Sequence, residues 1–425
     1  MFALVGNETS LAWVSSGNKH FVSSGNCCYV PPARRNKPHT VVASSHGSRT
    51  AHLSETDSKS SQYVASGMPP LEHDGRTTSF FEFWPMWVMY LPVVLQWLFL
   101  SIRYRSLTLP LLANPAIPLS GMVGIKKSAI FDVAGDQARQ WILPWVNYRV
   151  SGQQLPQQCE QVLQLLASHE LTLPIVAKPN IGCRGAGVKL LQDQEQLLGY
   201  LGDFPAGGEI QFQRLAEWEA EAGVFYVRHP DARQGQITSL TLKYTPFVVG
   251  NGKHTLAQLV AADPRAGELL HLYEERHASQ WQDIVPAGQP YRLVFSASHC
   301  RGAVFRDASE HTTAALTATL DAIFDDIPGF HYGRLDIKFR DLDSLKAGQN
   351  LAIIEINGAS AESINIWDRK TGLGQAVATL LQQYRTLFTL GDANRRRGHR
   401  APGIAALWRA WRYENNLIKQ YPLND

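Results

Sequence analysis

The chain has 425 residues, 44% of them hydrophobic and 18% charged, enough to bury a substantial core in more than one unit. A formal net charge of +3, with no basic stripe interleaved with aromatic residues, leaves no footprint of a nucleic-acid partner. Cys27 and Cys28 are adjacent while Cys159, Cys183 and Cys300 stand alone, so there is neither a C-x-x-C zinc pattern nor a disulfide framework, and a reducing compartment suits the main body.

Residues 1–79 are rich in Ser, Gly, Asn, Thr and His, with VSSGN at Val14 and again at Val22 and no sustained apolar period. This composition predicts a disordered tail. It has no apolar core followed by a small-residue cleavage site and is not read as a signal peptide; Met68 is an alternative start. The composition then changes. Phe83 to Ile102 contains no Asp, Glu, Lys or Arg and carries three Trp, a run long enough to span a bilayer as a helix, with Arg103 and Arg105 directly after it. The region 80–105 is therefore expected to be membrane-associated, as a transmembrane helix or an interfacial one, and the positive-inside tendency places the following domain on the cytoplasmic side. A buried hairpin in a soluble protein is the other reading.

From Ser106 to Ser151 the chain is Pro-rich and irregular, and Gln157 to His169 reads as an amphipathic helix. In LPIVAKPNIGCRGAGVKLL, Leu173 to Ala177 reads as a strand ending in Lys178, followed by a loop with Gly182, Gly185 and Gly187 and a second strand from Val188 to Leu191. Glycines let backbone N–H groups approach an anion and the lysine adds a point charge, so the hairpin can cradle phosphate, Arg184 adding to it. It can also be only a turn, for it is neither a Walker A loop nor G-x-G-x-x-G. Glu209 to Val227 reads as strand, acidic turn and strand, in which Gln213, Arg214 and Leu215 offer an edge for an adenine ring and Glu221 reaches ribose hydroxyls; a solvated acidic turn is the alternative. Ile237 to Tyr244 is a strand carrying Lys243, Thr255 caps a helix, Val285 to Val304 adds strands, and Thr312 to Phe324 has helical apolar spacing.

Two apolar runs follow, Arg334 to Phe339 and Leu351 to Ile356, joined by a polar connection and read as adjacent strands. Alternation puts Glu355 and Asn357 on one face, where Asp336 can meet them, with Arg334 on the face of Asp336. Two carboxylates and an amide form an incomplete oxygen shell of the kind Mg²⁺ accepts when phosphates and water supply the rest. The same residues can instead form a structural ion-pair network. Leu373 to Leu387 is an amphipathic helix, and beyond it Ile404, Leu407, Trp408 and Trp411 share a helical stripe beside Arg409 and Arg412, suited either to an anionic membrane surface or to packing on the protein itself.

The order of these pieces, over Lys126 to Gln383, resembles the ATP-grasp superfamily. PIVAKPNIGCRGAGV, YGRLDIKF and IIEIN are similar to the lysine, glycine-loop, Arg-x-Asp and Glu-x-Asn elements of D-alanine–D-alanine ligases, while TPFVVGNGKHTLAQLV and SASHCRGAVF resemble stretches of cyanophycin synthetases. The resemblance implies an α+β fold of two lobes clasping ATP over residues 106–390; the residues beyond it read as a basic amphipathic segment over 391–425. It implies ATP-phosphate contacts from Lys127 (or its neighbour Lys126), Lys178, Lys243 and the glycine loop at Gly185 and Gly187, an adenine pocket at Gln213, Arg214 and Leu215, and ribose at Glu221. It further implies one or two Mg²⁺, for which Mn²⁺ can substitute, on Asp336, Glu355 and Asn357, with Arg334 facing the reacting carboxyl group. The implied activity is a carboxylate–amine ligase working through an acylphosphate, on small-molecule acids and amines, to which the expected membrane location adds lipid-linked ones. There is little room before Lys178 for the sizeable α/β domain that many such ligases carry, which argues against D-alanine as the substrate. A membrane-held, ATP-binding regulatory module without turnover is the alternative.

Overall fold

In the computed structural model, residues 63–72, 77–82, 84–182, 185–296 and 298–422 are described. The strands, in chain order, are β1 (Trp145–Arg149), β2 (Ile175–Pro179), β3 (Lys189–Leu191), β4 (Glu209–Arg214), β5 (Ala220–Val227), β6 (Gln236–Tyr244), β7 (Phe247–Val249), β8 (Pro290–Arg292), β9 (Val304–Asp307), β10 (Tyr332–Phe339) and β11 (Leu351–Asn357). They form a four-stranded sheet in the order β1-β4-β2-β3, a five-stranded sheet in the order β11-β10-β5-β6-β9, and the pair β7-β8. All the pairings are antiparallel. The chain is thus α+β, two sheets with helices on their outer faces and a cleft between them.

Alternation decides which side each strand gives to the cleft. On β10, Leu335, Ile337 and Phe339 join the core under the helix Ala314–Asp325, which contributes Leu316, Leu320, Ile323 and Phe324. Arg334, Asp336 and Lys338 are left for the opposite face, which lines the cleft. In the smaller sheet, Ile175, Ala177, Ile210 and Phe212 pack under the helices Leu155–Ser168 and Gln194–Asp203. Val176, Lys178 and Gln213 turn to the cleft. A third core, holding Leu256, Val260, Tyr273 and Leu293, sits by β7 and β8; Thr255 caps the helix there through a capping box with Gln258.

Three expectations are corrected. The tail expected over residues 1–79 lies mostly outside the described residues, but Ala65, Met68 and Leu71 are buried in the main core, so 63–72 is packed chain. The apolar run forms the helix Met86–Arg103, of 18 residues and so about 27 Å at ~1.5 Å per residue, short of a hydrocarbon core of about 30 Å. Among the described residues no helix is long and apolar enough to cross a membrane. Gln96, Ser101 and the Trp and Tyr residues dilute its apolar character, and one face is spent on protein: Met89, Tyr90 and Val93 pack with Trp367 and Leu380, and Trp97 lies 5.4 Å from the Phe388 ring while its indole N–H donates to Leu107 O. Lastly, the helix expected at Leu373–Leu387 runs to Arg396, across the boundary expected at residue 390, before the helix Ile404–Ile418.

Candidate active site

The cleft between the two sheets holds about 1300 Å³. Its floor is the strand triplet β5-β10-β11. Asp336 lies opposite Glu355 on β11 and opposite Gly223 on β5, and Arg334 lies opposite Asn357. A Cβ on Gly223 would come within 2.8 Å of Ile364 Cδ1 and 3.3 Å of Arg334 Cδ, so glycine here leaves room for the arginine to lie across the strand. Arg334 donates from Nε and Nη2 to the two Asp336 oxygens, at 3.0 and 3.1 Å, and from Nη1 to the main-chain oxygen of Glu362. Asn357 Nδ2 is 3.4 Å from Asp336 Oδ2.

The β10-β11 ladder slips between Asp336 and Ile337: Asp336 pairs with Glu355 but Ile337 pairs with Ile353. Ile354 is the extra residue of a bulge, and its carbonyl accepts a hydrogen bond from Lys178 Nζ at 3.0 Å. The other partner of that ammonium is Gln213 Oε1, at 2.7 Å. A lysine from the smaller sheet is thus anchored beside Glu355. Lys127 makes an ion pair with Glu355 from a third direction. Its segment is held to β2 by Lys127 N donating to Asn180 O and Ser128 N donating to Asn180 Oδ1. Lys126 turns instead to Glu209, at 2.8 Å, which leaves Lys127 as the cleft lysine.

Glu221, on the neighbouring strand, is paired with both Lys243 and Lys338, the latter at 2.9 Å. Burial would raise its carboxyl, but the two ammonium groups hold it at about 2. Glu355 is likewise at about 2, burial being outweighed by Lys127 and Lys178. Lys178 goes the other way: burial, with Lys127 adding to it against the pull of Glu355, lowers it to about 8. Lys243 and Arg334 are raised above their ordinary values, Asp336 offsetting their burial. Glu221 is committed to its two lysines here rather than open to a ribose.

Gln213, Arg214 and Leu215 border the cleft together with Trp218, although the Arg214 guanidinium reaches outward to Glu170 O at 2.9 Å. Gly185 and Gly187 have φ of +70° and +67°, the left-handed region that glycine adopts without strain, and the loop they form joins β2 to β3. Cys183 and Arg184, between the strands, lie outside the described residues.

Among the described residues no three His, Cys, Asp or Glu side chains converge. The set on the floor is instead two carboxylates and an amide, hard oxygen donors that fit Mg²⁺ with phosphate oxygens completing its shell. Lysines and an arginine outnumber the carboxylates around it, an excess of positive charge that suits a polyphosphate. Two cleft residues were not singled out from the sequence. Lys338 was visible there, since R-x-D-x-K places it on the face of Arg334 and Asp336. Glu362 had no local pattern to mark it.

No family model matches the chain, and no curated protein matches it. Among solved structures it is similar to a bifunctional glutathione synthetase from Pasteurella multocida (15% identity over 61% of this chain, TM-score 0.31). It is also similar to the D-Ala:D-Ser ligase VanG from Enterococcus faecalis (10% identity, 63% of this chain and 62% of that one, TM-score 0.36). A third is a D-alanine–D-alanine ligase from Bacillus anthracis complexed with ATP (11% identity, 64% of this chain and 68% of that one, TM-score 0.35). The chain spans 36% of the length of the glutathione synthetase.

Proposed function

We propose that the chain is an ATP- and Mg²⁺-dependent carboxylate–amine ligase that forms an amide through an acylphosphate. The observation that carries this is the joining of Lys178, from the smaller sheet, to the bulge beside Glu355 on the larger one, which sets a phosphate-binding lysine against an oxygen donor set for Mg²⁺. Asp336, Glu355 and Asn357 would hold Mg²⁺, which neutralises phosphate charge when bound. Lys127 and Lys178 exchange their carboxylate and carbonyl partners for phosphate oxygens, Gln213 to Leu215 take the adenine, and Lys243 with Lys338 adds charge from the other side of Asp336. Arg334, which donates to both Asp336 oxygens, would face the substrate carboxylate and then the oxyanion formed on attack by the amine, while Mg²⁺ would supply Asp336 with the compensating charge. Positioning and charge do the work, with no covalent protein nucleophile.

Attachment to a membrane surface, with the cleft on the cytoplasmic side, is part of the same proposal. It is supported by the outer face of the helix Met86–Arg103, where Trp87, Leu91, Leu95, Phe99 and Ile102 are exposed, and by exposed Ile404 and Trp408 on the last helix. Incubating the chain with Mg²⁺-ATP and pools of amino acids, hydroxy acids, small peptides and amphiphilic acids and amines tests the reaction. Phosphate release that depends on one pool and disappears in Glu355→Gln is the expected result. ATP binding with no release from any pool would favour the regulatory module.

A further inference from the structure

The cleft is larger than the roughly 300–1,000 Å³ of an ordinary small-molecule site, and its lining is of two kinds. Part of the wall is apolar. Tyr90 and Val94 of the helix Met86–Arg103 line it, as do Leu407 and Trp411 of the last helix. Trp87 lines the same trough while remaining 56% exposed, so the trough opens on the outer apolar face of that helix.

Glu362 stands at the junction. Its main-chain oxygen holds Arg334, at 3.1 Å, and its side chain lines the cleft on the side of Tyr384, whose ring is 6.5 Å from Tyr90 and 5.7 Å from Trp97. No hydrogen bond or ion pair among the described residues reaches its carboxylate, unlike Glu221, Asp336 and Glu355, each of which is met by a cation. Burial alone pushes the Glu362 carboxyl up to about 7, and Tyr384 is raised in turn, first by its own burial and then by the Glu362 charge. A carboxylate without a cation beside an apolar trough lacks what an ammonium on an alkyl chain supplies.

Resting on the ligase reading above, we infer that the amine substrate is an amphiphile, its ammonium held by Glu362 and its hydrocarbon chain lying in the trough between the helices Met86–Arg103 and Ile404–Ile418. The carboxylate that holds the ammonium also takes the proton the nitrogen must lose. The freed lone pair forms the C–N bond to the acyl carbon, and the acyl C–O bond breaks with its electrons leaving on phosphate. The second nitrogen proton then passes to phosphate or water, giving a neutral amide.

The test is direct binding to the full chain, by calorimetry, of n-butylamine, n-decylamine and decanoate at monomeric concentrations, each with and without Mg²⁺-ATP. A methylene buried in the trough is worth about a factor of four, so decylamine should bind roughly 100-fold or more tighter than butylamine. Glu362→Gln, a change of one atom at a site with no partner to lose, should weaken decylamine about tenfold or more and leave decanoate unchanged. Trp87→Ala, at the exposed mouth, should weaken decylamine and spare butylamine. Equal binding of the two amines would overturn the inference. So would decanoate binding tighter than decylamine with no effect of Glu362→Gln, which would give the chain to the acid instead. Loss of ATP binding with the amine preference intact would sink the ligase reading alone, and ATP-driven phosphate release that gains nothing from a longer amine would sink this one alone.

Discussion

On the cleft floor, where β5, β10 and β11 run side by side, the charged side chains each have an opposite charge in reach; along the wall made by the helix Met86–Arg103, the inner face makes no ion pair among the described residues and packs mostly through rings and aliphatic groups. The floor holds its groups in directed, geometrically exacting contacts, which on the proposed ligase reading polyphosphate and a metal would take over. The wall fixes only an area and a direction. Chemistry is assigned by the first and reach by the second, and changes to the two regions should therefore differ in kind.

The largest effect belongs to the wall's foundation. Phe388 is fully buried beneath Trp97 and Tyr104, and Phe388→Ala should cost about 3–5 kcal/mol, read as a shift of the denaturation midpoint. Amides of the helix Met86–Arg103 should lose their protection from hydrogen exchange first. On the floor, Glu355→Gln should lower turnover by about 10²–10³, comparable to losing an oxyanion donor, while the denaturation midpoint moves far less. If turnover survives, the floor is a structural ion network and nothing more.

A subtler difference is in pH. Lys178 sits at about 8 through burial, with its ordinary value at 10.5, and phosphate binds its charged form. ATP affinity should hold steady below about pH 8 and fall above it, by at most about tenfold per unit. Because the folded value lies below the unfolded one, the ligand-free fold should gain stability as pH rises from 8 toward 10.5. Lys178→Met should remove both slopes. The smallest effect is at the outer face of the wall: Phe99→Ser, at a site 63% exposed, should stay within about 0.5 kcal/mol in stability but reduce sedimentation with anionic vesicles.

The floor was legible because it is local. R-x-D-x-K and E-x-N carry period-two alternation over consecutive residues, and only a polar connection and the short helix Leu342–Ala347 separate their strands. The bulge at Ile354 was not legible, since an extra residue in an apolar run leaves no mark in composition. The apolar run reads as a span for a related reason: lipid tails and a protein core ask for the same residues, and the ring partners of its inner face, Tyr384 and Phe388, lie far along the chain. Residues 63–72 were missed because the stretch is short and broken by Ser66, Gly67, Pro69 and Pro70, too few apolar residues to carry a sustained period, and Glu362 because its meaning comes from what surrounds it rather than from its neighbours in sequence.

The last helix and the residues just after it are tied to the cleft at two places. Glu414 accepts a hydrogen bond from Gly124 N at 3.0 Å, close to the segment that carries Lys127. Further on, Tyr421 stacks on Phe204, donates its hydroxyl to Ile181 O, and rests against Gly182 and Gly187 of the glycine loop. The ring of Tyr421 thus couples the chain after the last helix to the loop between β2 and β3, so that a change at residue 421 is felt 240 residues earlier in the sequence, at Ile181.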